Sequence, residues 1–333
     1  MSAPSANLVP IVVRLPNWVG DVCMSLHSVK AVAATGHPVI ICARGWAKPL
    51  VAPLNPHSFV PFSGKFREDL GNLRQALSGF QQSKTPALGL ILPDSFSSAA
   101  LFALAGLKSA GYRDDGRGLL LSKGFPKPAG KPHAVLKWWN LTQLTLTTWG
   151  LSNSLTTASN PPLFVFEPTE ADLLLAQNQL ESHGLSDKQF VLLAATATGL
   201  HKGRVKVWPH FQALCETLLS HGHRVVMCPP AHEREQAQAL VPSALLLDPL
   251  PLGAFAALAK LSALVVCNDS GVSHLAALSG ATQVTLFGVT DPEITGPWSL
   301  DAKIAGGPSN WPDLVEVTEV CTQKLELAQR AIA

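Results

Sequence analysis

In the run RLPNWVGDVCMSLHSVKAV a strand-like apolar stretch gives way to a helical pattern, and Asp21 stands at the change. A carboxylate there has two uses. It can cap the helix by accepting from a first-turn N–H, worth about 1 kcal/mol and no chemistry. It can instead act as a general base toward a hydroxyl. Gly20 beside it would permit a tight turn.

A second corner is VVCNDSGVSHLAALSG, residues 265–280. A strand runs into Asn268, Asp269, Ser270 and Gly271 and then into a helix bearing His274. Backbone N–H groups and the positive helix end then face outward together, which suits a phosphate. A carboxylate would repel a phosphate placed directly on it, so Asp269 fits sugar hydroxyls beside the phosphates. Capping by Asp269 or Ser270 is the plain alternative. A third segment, TATGLHKGRVKVWPH at 196–210, collects His201, Lys202, Arg204 and Lys206 in one loop. Such a loop can neutralise a diphosphate leaving group, or it can be a solvated basic loop.

Several motifs are missing. There is no GxGxxG after the first strand and no GxxxxGK[ST], which argues against nicotinamide or flavin enzymes and P-loop kinases. There is no HExxH, no GxSxG elbow and no DxD pair. The 11 histidines show no ligand spacing, so no metal site is expected. Six scattered cysteines without a CxxC pair fit small buried hydrophobes in a reducing compartment.

The elements that must position these corners are legible as apolar runs. PIVVRL (10–15), HPVIICA (37–43), SFVPF (58–62) and ALGLILP (87–93) predict strands, with helical spacing at 21–34 and 66–80 between them. QFVLLAAT (189–196), HRVVMCP (223–229), SALLLD (243–248), ALVVCND (263–269) and TQVTLFG (282–288) repeat the rhythm, and about 315–332 reads as a last helix. The alternation predicts an α/β chain with two open, mostly parallel, doubly wound sheets. At 333 residues, 47% hydrophobic and 14% charged, the chain is long and apolar enough for two domains of roughly 150 residues each. The Pro-containing stretch SNPPLFVFEPTEAD (159–172) sets the boundary, giving 1–163 and 164–333.

The start lacks a basic segment followed by an apolar run and a cleavage site, and SSAALFALAGL (97–107) stops at Lys108. It falls short of the 18 or so apolar residues of a membrane span and predicts a buried helix. A cytoplasmic protein is the expectation. Net charge is +2 but uneven: residues 1–160 hold 15 Lys and Arg against 6 Asp and Glu, while residues 161–333 hold 10 against 17. Either this is solvated surface, or the first lobe meets an anionic partner or membrane face.

WVGDVCMS, LPDSFSSAALFALAG, KVWP and NDSGVSHLAALSGATQVTLFGVTDP, taken in order, resemble the lipopolysaccharide heptosyltransferases, glycosyltransferase family 9, nearest their heptosyltransferase II-like members. The resemblance implies a GT-B fold, two Rossmann-like domains facing across a cleft, with an acceptor-binding first domain and a donor-binding second. It implies inverting, metal-independent and cofactor-free transfer of heptose from ADP-heptose to the anionic lipopolysaccharide inner core, Kdo-lipid A or its heptosylated form. Peripheral contact with the cytoplasmic leaflet of the inner membrane follows, and no nucleic-acid partner.

By position, Asp21 matches the family's catalytic aspartate and Lys206 the lysine that stabilises the phosphate. Ser270 and Gly271 match the diphosphate-holding backbone, Asp269 the residue on the donor sugar, and His274 lies one helical turn on. Thr196 matches a phosphate or sugar contact, and Glu233 and Leu250 the residues near ribose and adenine. The loop before Lys206 departs from the pattern, so Lys202 or Arg204 could share its role. Leu250 offers no side-chain hydrogen bond, leaving adenine to backbone groups. Lys65, Arg67, Arg113, Arg117 and Lys137 are candidates for the anionic acceptor. A transferase with another nucleotide sugar or acceptor, and a nucleotide-sugar-binding protein without turnover, remain as alternatives.

Overall fold

Ile11, Val12 and Val13 have no exposed surface, the condition of a strand covered on both faces. They form β1 (Ile11–Arg14) in the computed structural model, which describes residues 8–80, 85–197, 200–201 and 203–332. The chain divides into two units, Met1–Phe164 and Val165–Ala333.

In the first unit, α1 (Val19–Ala33), β2 (Val39–Ala43), α2 (Lys48–Val51), β3 (Ser58–Pro61), α3 (Phe66–Leu77), β4 (Leu88–Ile91), α4 (Phe96–Leu104), β5 (Lys108–Tyr112), β6 (Lys123–Phe125) and α5 (Ala134–Thr148) follow β1. The six strands pair in the order β3-β2-β1-β4-β5-β6, every pair parallel. Val12, Ile40, Val60, Ile91, Phe102 and Leu107 belong to one buried cluster on this sheet.

The second unit holds α6 (Glu170–Ser182), β7 (Phe190–Ala194), β8 (Leu200–His201), β9 (Arg204–Val205), α7 (Phe211–Ser220), β10 (Arg224–Met227), α8 (Arg234–Leu240), β11 (Leu245–Leu246) and α9 (Leu252–Leu261). It continues with β12 (Leu264–Asn268), α10 (Gly271–Ser279), β13 (Gln283–Phe287), α11 (Pro292–Thr295), β14 (Ala302–Gly306) and α12 (Leu314–Ile332). Its sheet runs β11-β10-β7-β12-β13-β14, again all parallel. Helix α6 opens the unit on a capping box in which Thr169 and Asp172 serve each other's backbone N–H. Asp172 also explains Gly253 of α9, where a Cβ would lie 2.5 Å from its carboxylate.

By rank within each unit, both sheets have the order 3-2-1-4-5-6. Strands of ranks 1 and 4 are neighbours whose connections leave in opposite directions, and ligands of such sheets sit beyond the carboxyl ends at that switch point. In the first unit the point lies between β1 and β4, and in the second between β7 and β12. The chemistry-bearing corners read from the sequence stand at these places.

The apolar runs became strands as predicted, and four segments went unread. KSAGY in β5 has no apolar run, and β6 and β14 are edge strands with exposed residues. The hairpin β8–β9 is two residues a side and antiparallel, inside the basic loop. All six cysteines are free and buried. Among the described residues, no helix is long and apolar enough to cross a membrane, and no cluster of three His, Cys, Asp or Glu could hold a metal ion.

Candidate functional site

In the first unit, the loop from β1 to α1 is shaped by a buried side chain that the sequence did not single out. Arg14, 5% exposed, donates through Nη1 to the carbonyl of Leu15 and at 3.4 Å to that of Cys42. Its Nη2 donates to Asn17 Oδ1 at 2.6 Å, and the guanidinium lies 5.0 Å from the Phe62 ring centroid. Burial pushes this guanidinium down to about 10 from its ordinary 12.5, so it stays charged at neutral pH. Residues 15–18 are thereby held against β1 and β2, which sets the direction in which α1 starts.

Asp21 does not cap that helix. The N-cap is Trp18, which makes no side-chain cap, and Asp21 lies in the first turn, with Gly20 already helical. The alternative of a capping aspartate is corrected: the helix starts two residues before Asp21, at Val19. Asp21 is partly exposed in the first turn of α1.

Across the switch point, just past β4, is Asp94. Its Oδ1 takes Arg117 Nη2 at 2.7 Å, and its Oδ2 takes Lys137 Nζ at 2.7 Å and Lys127 Nζ at 3.1 Å. Arg117 is almost fully buried, with Nε on the carbonyl of Tyr112 at 2.7 Å. Lys127 also pairs with Asp114. Burial acts to raise the Asp94 carboxyl, but the hydrogen bonds and charges of Lys137 and Lys127 and the charge of Arg117 outweigh it and hold the group below its ordinary range. Three cations thus meet two carboxylates, leaving a positive surplus. Of the five basic candidates, Arg117 and Lys137 come together here. Lys65 pairs instead with Glu68 at 3.6 Å, Arg67 is exposed on α3, and Arg113 is exposed with its Cβ beside Gly118 and Gly124.

In the second unit the predicted donor residues converge. Thr196, two residues past β7, donates from Oγ1 to Glu233 Oε2 at 2.5 Å. Lys206 Nζ lies 3.0 Å from Asp269 Oδ2. The Asp269 carboxylate is buried and also accepts from Thr290 Oγ1 at 2.5 Å, while its backbone N–H bonds the Leu286 carbonyl at 3.1 Å. Ser270 is the N-cap of α10 and accepts from Val272 N at 3.3 Å, so of the two proposed caps the serine is the one in place. Gly271 opens the helix and His274, one turn on, is buried. Leu250 lies past β11, two residues after Asp248, whose carbonyl accepts at 3.2 Å from the Cys228 thiol, a group that burial pushes up to about 12.

One residue ties these pieces together. Asn268, the last residue of β12, is fully buried, and its Oδ1 accepts from Trp208 N at 2.9 Å while its Nδ2 donates to the Ala195 carbonyl at 2.9 Å. The carboxamide joins the end of β7, next to Thr196, to the segment carrying Lys206 and to the start of the Asp269 corner. NDSG was visible as a motif; that its first residue is a clasp depends on contacts 60 and 73 residues away.

Arg204 does not accompany Lys206. Its Nη2 donates to the carbonyls of Gly288 at 3.0 Å and Ser309 at 3.3 Å. Gly288 itself admits no side chain, since a Cβ would meet the Trp311 ring at 2.0 Å. Lys202 and the side chain of His201 lie outside the described residues.

The sequence model of glycosyltransferase family 9 (heptosyltransferase) matches residues 83–324, well over half of the chain. The chain belongs to this family. As a family 9 glycosyltransferase it is 26% identical over 313 residues to lipopolysaccharide heptosyltransferase 2 of Escherichia coli K12, covering 88% of this chain and 87% of that one. Among solved structures, E. coli ADP-heptose lps heptosyltransferase II matches with a TM-score of 0.73 at 22% identity, over 96% of this chain and 100% of that chain. An E. coli heptosyltransferase solved with ADP matches at 0.71 and 20% identity, over 95% and 100%. The two parallel six-stranded sheets are those of the GT-B fold.

Proposed function

We propose that this family 9 glycosyltransferase moves heptose from ADP-heptose onto an anionic lipopolysaccharide inner-core acceptor, with inversion at the anomeric carbon and without a metal ion. The observation that carries the reading is the convergence at the second unit's switch point: Thr196 with Glu233, Lys206 with Asp269, and the Ser270 cap of α10. The relatives named as heptosyltransferases, and the solved structure bound to ADP, support the same donor.

On this reading the second unit is the donor domain. The N–H groups of Ser270 and Gly271 and the positive end of α10 hold the diphosphate. Lys206 leaves Asp269 to meet the negative charge that grows on the departing phosphate, an interaction strongest in the transition state. Asp269 accepts from hydroxyls of the donor sugar, Glu233 serves the ribose, His274 orders the first turn of α10, and Leu250 with its backbone borders the adenine.

The first unit is the acceptor domain. Asp21, in the first turn of α1, takes the proton from the acceptor hydroxyl as that oxygen attacks the anomeric carbon, and ADP leaves from the opposite face. Carboxylates or phosphates of the acceptor are drawn to the surplus charge of Arg117, Lys127 and Lys137. Peripheral contact with the cytoplasmic leaflet uses the same unit, whose positive excess is joined by exposed Trp18, Phe96 and Leu119 beyond the ends of β1, β4 and β5.

Transfer is tested with purified protein, ADP-heptose and delipidated inner-core oligosaccharide, reading the product by mass spectrometry. The expected product is one heptose heavier, at a rate unchanged by EDTA. Transfer from UDP- or GDP-sugars in preference to ADP-heptose would favour the related-transferase reading. Binding of ADP-heptose without turnover would favour the non-catalytic one. Co-sedimentation with anionic vesicles should fall as salt rises through the range where Debye screening becomes effective; binding indifferent to salt would reject the membrane contact.

A further inference from the structure

Among the described residues, the ion pair and hydrogen bond of the Asp269 carboxylate both go to one oxygen, Oδ2: Lys206 Nζ at 3.0 Å and Thr290 Oγ1 at 2.5 Å. We infer that Thr290 is a positioning residue for the donor sugar, holding Asp269 by Oδ2 so that Oδ1 is presented to the sugar's hydroxyls. The inference rests on the donor-domain reading above and extends it to a residue that GVTDP carries but whose type and spacing give no signal.

The two partners on Oδ2 differ in what donor binding asks of them. Lys206 carries a charge that a diphosphate competes for, so its hold on Asp269 loosens as the phosphate arrives. Thr290 is neutral, is 8% exposed, and reaches Asp269 from beyond β13, the strand next to β12. A phosphate gives it no reason to leave. Its β-branch narrows the choice of χ1, so the hydroxyl stays aimed at Oδ2. Once Lys206 turns to the phosphate, Thr290 is the group that keeps the carboxylate from rotating. The Asp269 backbone is pinned independently by its N–H to the Leu286 carbonyl, so only the side-chain torsion is left to fix.

ADP lacks the sugar and ADP-heptose has it, which separates positioning from general support. The test titrates both ligands calorimetrically into wild type, Thr290→Val and Thr290→Ser, and measures KM for ADP-heptose alongside. A hydrogen bond to a charged group lost on replacement corresponds to roughly tenfold or more in affinity. Thr290→Val is expected to bind ADP within about twofold of wild type while its Kd and KM for ADP-heptose rise about tenfold, and Thr290→Ser to recover most of that loss. Equal weakening toward both ligands would overturn the inference in favour of a structural threonine. So would unchanged affinity for ADP-heptose, or a serine variant no better than valine. If wild type binds ADP but gains nothing from the heptose, the donor reading itself fails, and that shows before any variant is made.

Discussion

The two units place a carboxylate at the same topological post, just past the rank-4 strand, and surround it differently. Asp94 follows β4 and is ringed by Arg117, Lys127 and Lys137. Asp269 follows β12 and, among the described residues, meets the cation of Lys206 and the hydroxyl of Thr290, both on the same oxygen. The fold supplies the post and the partners decide its use. With both oxygens taken by cations, Asp94 is a hub that gathers positive charge, on the proposed reading for the anionic acceptor to meet. With one oxygen engaged, Asp269 remains an acceptor for hydroxyls. A repeated architecture therefore yields two corners whose carboxylates have different partners left to take.

The comparison can be broken most decisively at the proposed base. Asp21→Asn keeps the shape of the α1 corner and removes the proton acceptor; turnover should fall about 10³-fold or more, with ADP affinity by calorimetry unchanged. A near-normal rate would remove Asp21 from the mechanism. Next, Lys206→Met should lower kcat by about 10²-fold with a smaller change in KM, as expected of a group that matters most while charge develops. Equal loss in ADP binding and kcat would make it a ground-state contact instead.

Asn268→Ala tests whether the second corner depends on its clasp. It strands the Trp208 N–H and the Ala195 carbonyl in the interior, a cost of about 3 kcal/mol, read as a lower midpoint in urea with an unchanged slope. Asp94→Asn tests the first corner's hub and should cost about 2 kcal/mol, less than a fully buried pair because the carboxylate is 27% exposed. Its sign with pH is definite. The folded Asp94 carboxyl titrates below its ordinary 3.8, so its contribution is complete above that value and is lost as pH falls through the lowered one. Wild type should lose more stability than the variant across that acid limb. Parallel curves would show that Asp94 is not held by its cations.

How much was legible follows from the range of the contacts. Buried parallel strands such as VIICA and LVVCN announce themselves as unbroken apolar runs, so the sheets, most helices and both corners could be read directly. Edge strands β6 and β14 bury too little to leave that trace, and β5 carries Ser and Gly. Asp269 and Lys206 stood out from the corner and the basic loop themselves, Thr196 and Glu233 only through the resemblance, and the structure brings the four into two contacting pairs. Arg14, Asn268, Asp94 and Thr290 were missed as partners because each acts through residues distant in sequence: Asp94 meets Lys137 43 positions later, and Asn268 meets Ala195 73 positions earlier. Asp21 was given a capping alternative because Asp after Gly suits an N-cap, and nothing local showed that Trp18 already occupies the position.

The indole of Trp208 donates to the carbonyl of Pro312 at 2.8 Å, and Arg204 reaches Ser309. The loop that delivers Lys206 is therefore moored to a stretch of chain about a hundred residues downstream, beyond the last strand. Anyone trimming this protein from its carboxyl end for crystallisation or fusion would cut that mooring while leaving every proposed donor side chain in the chain. A version ending before residue 307 would also lose Val317, Cys321 and Leu325, which α12 packs into the core of the second unit, so the Lys206 loop and the sheet beneath it should weaken together.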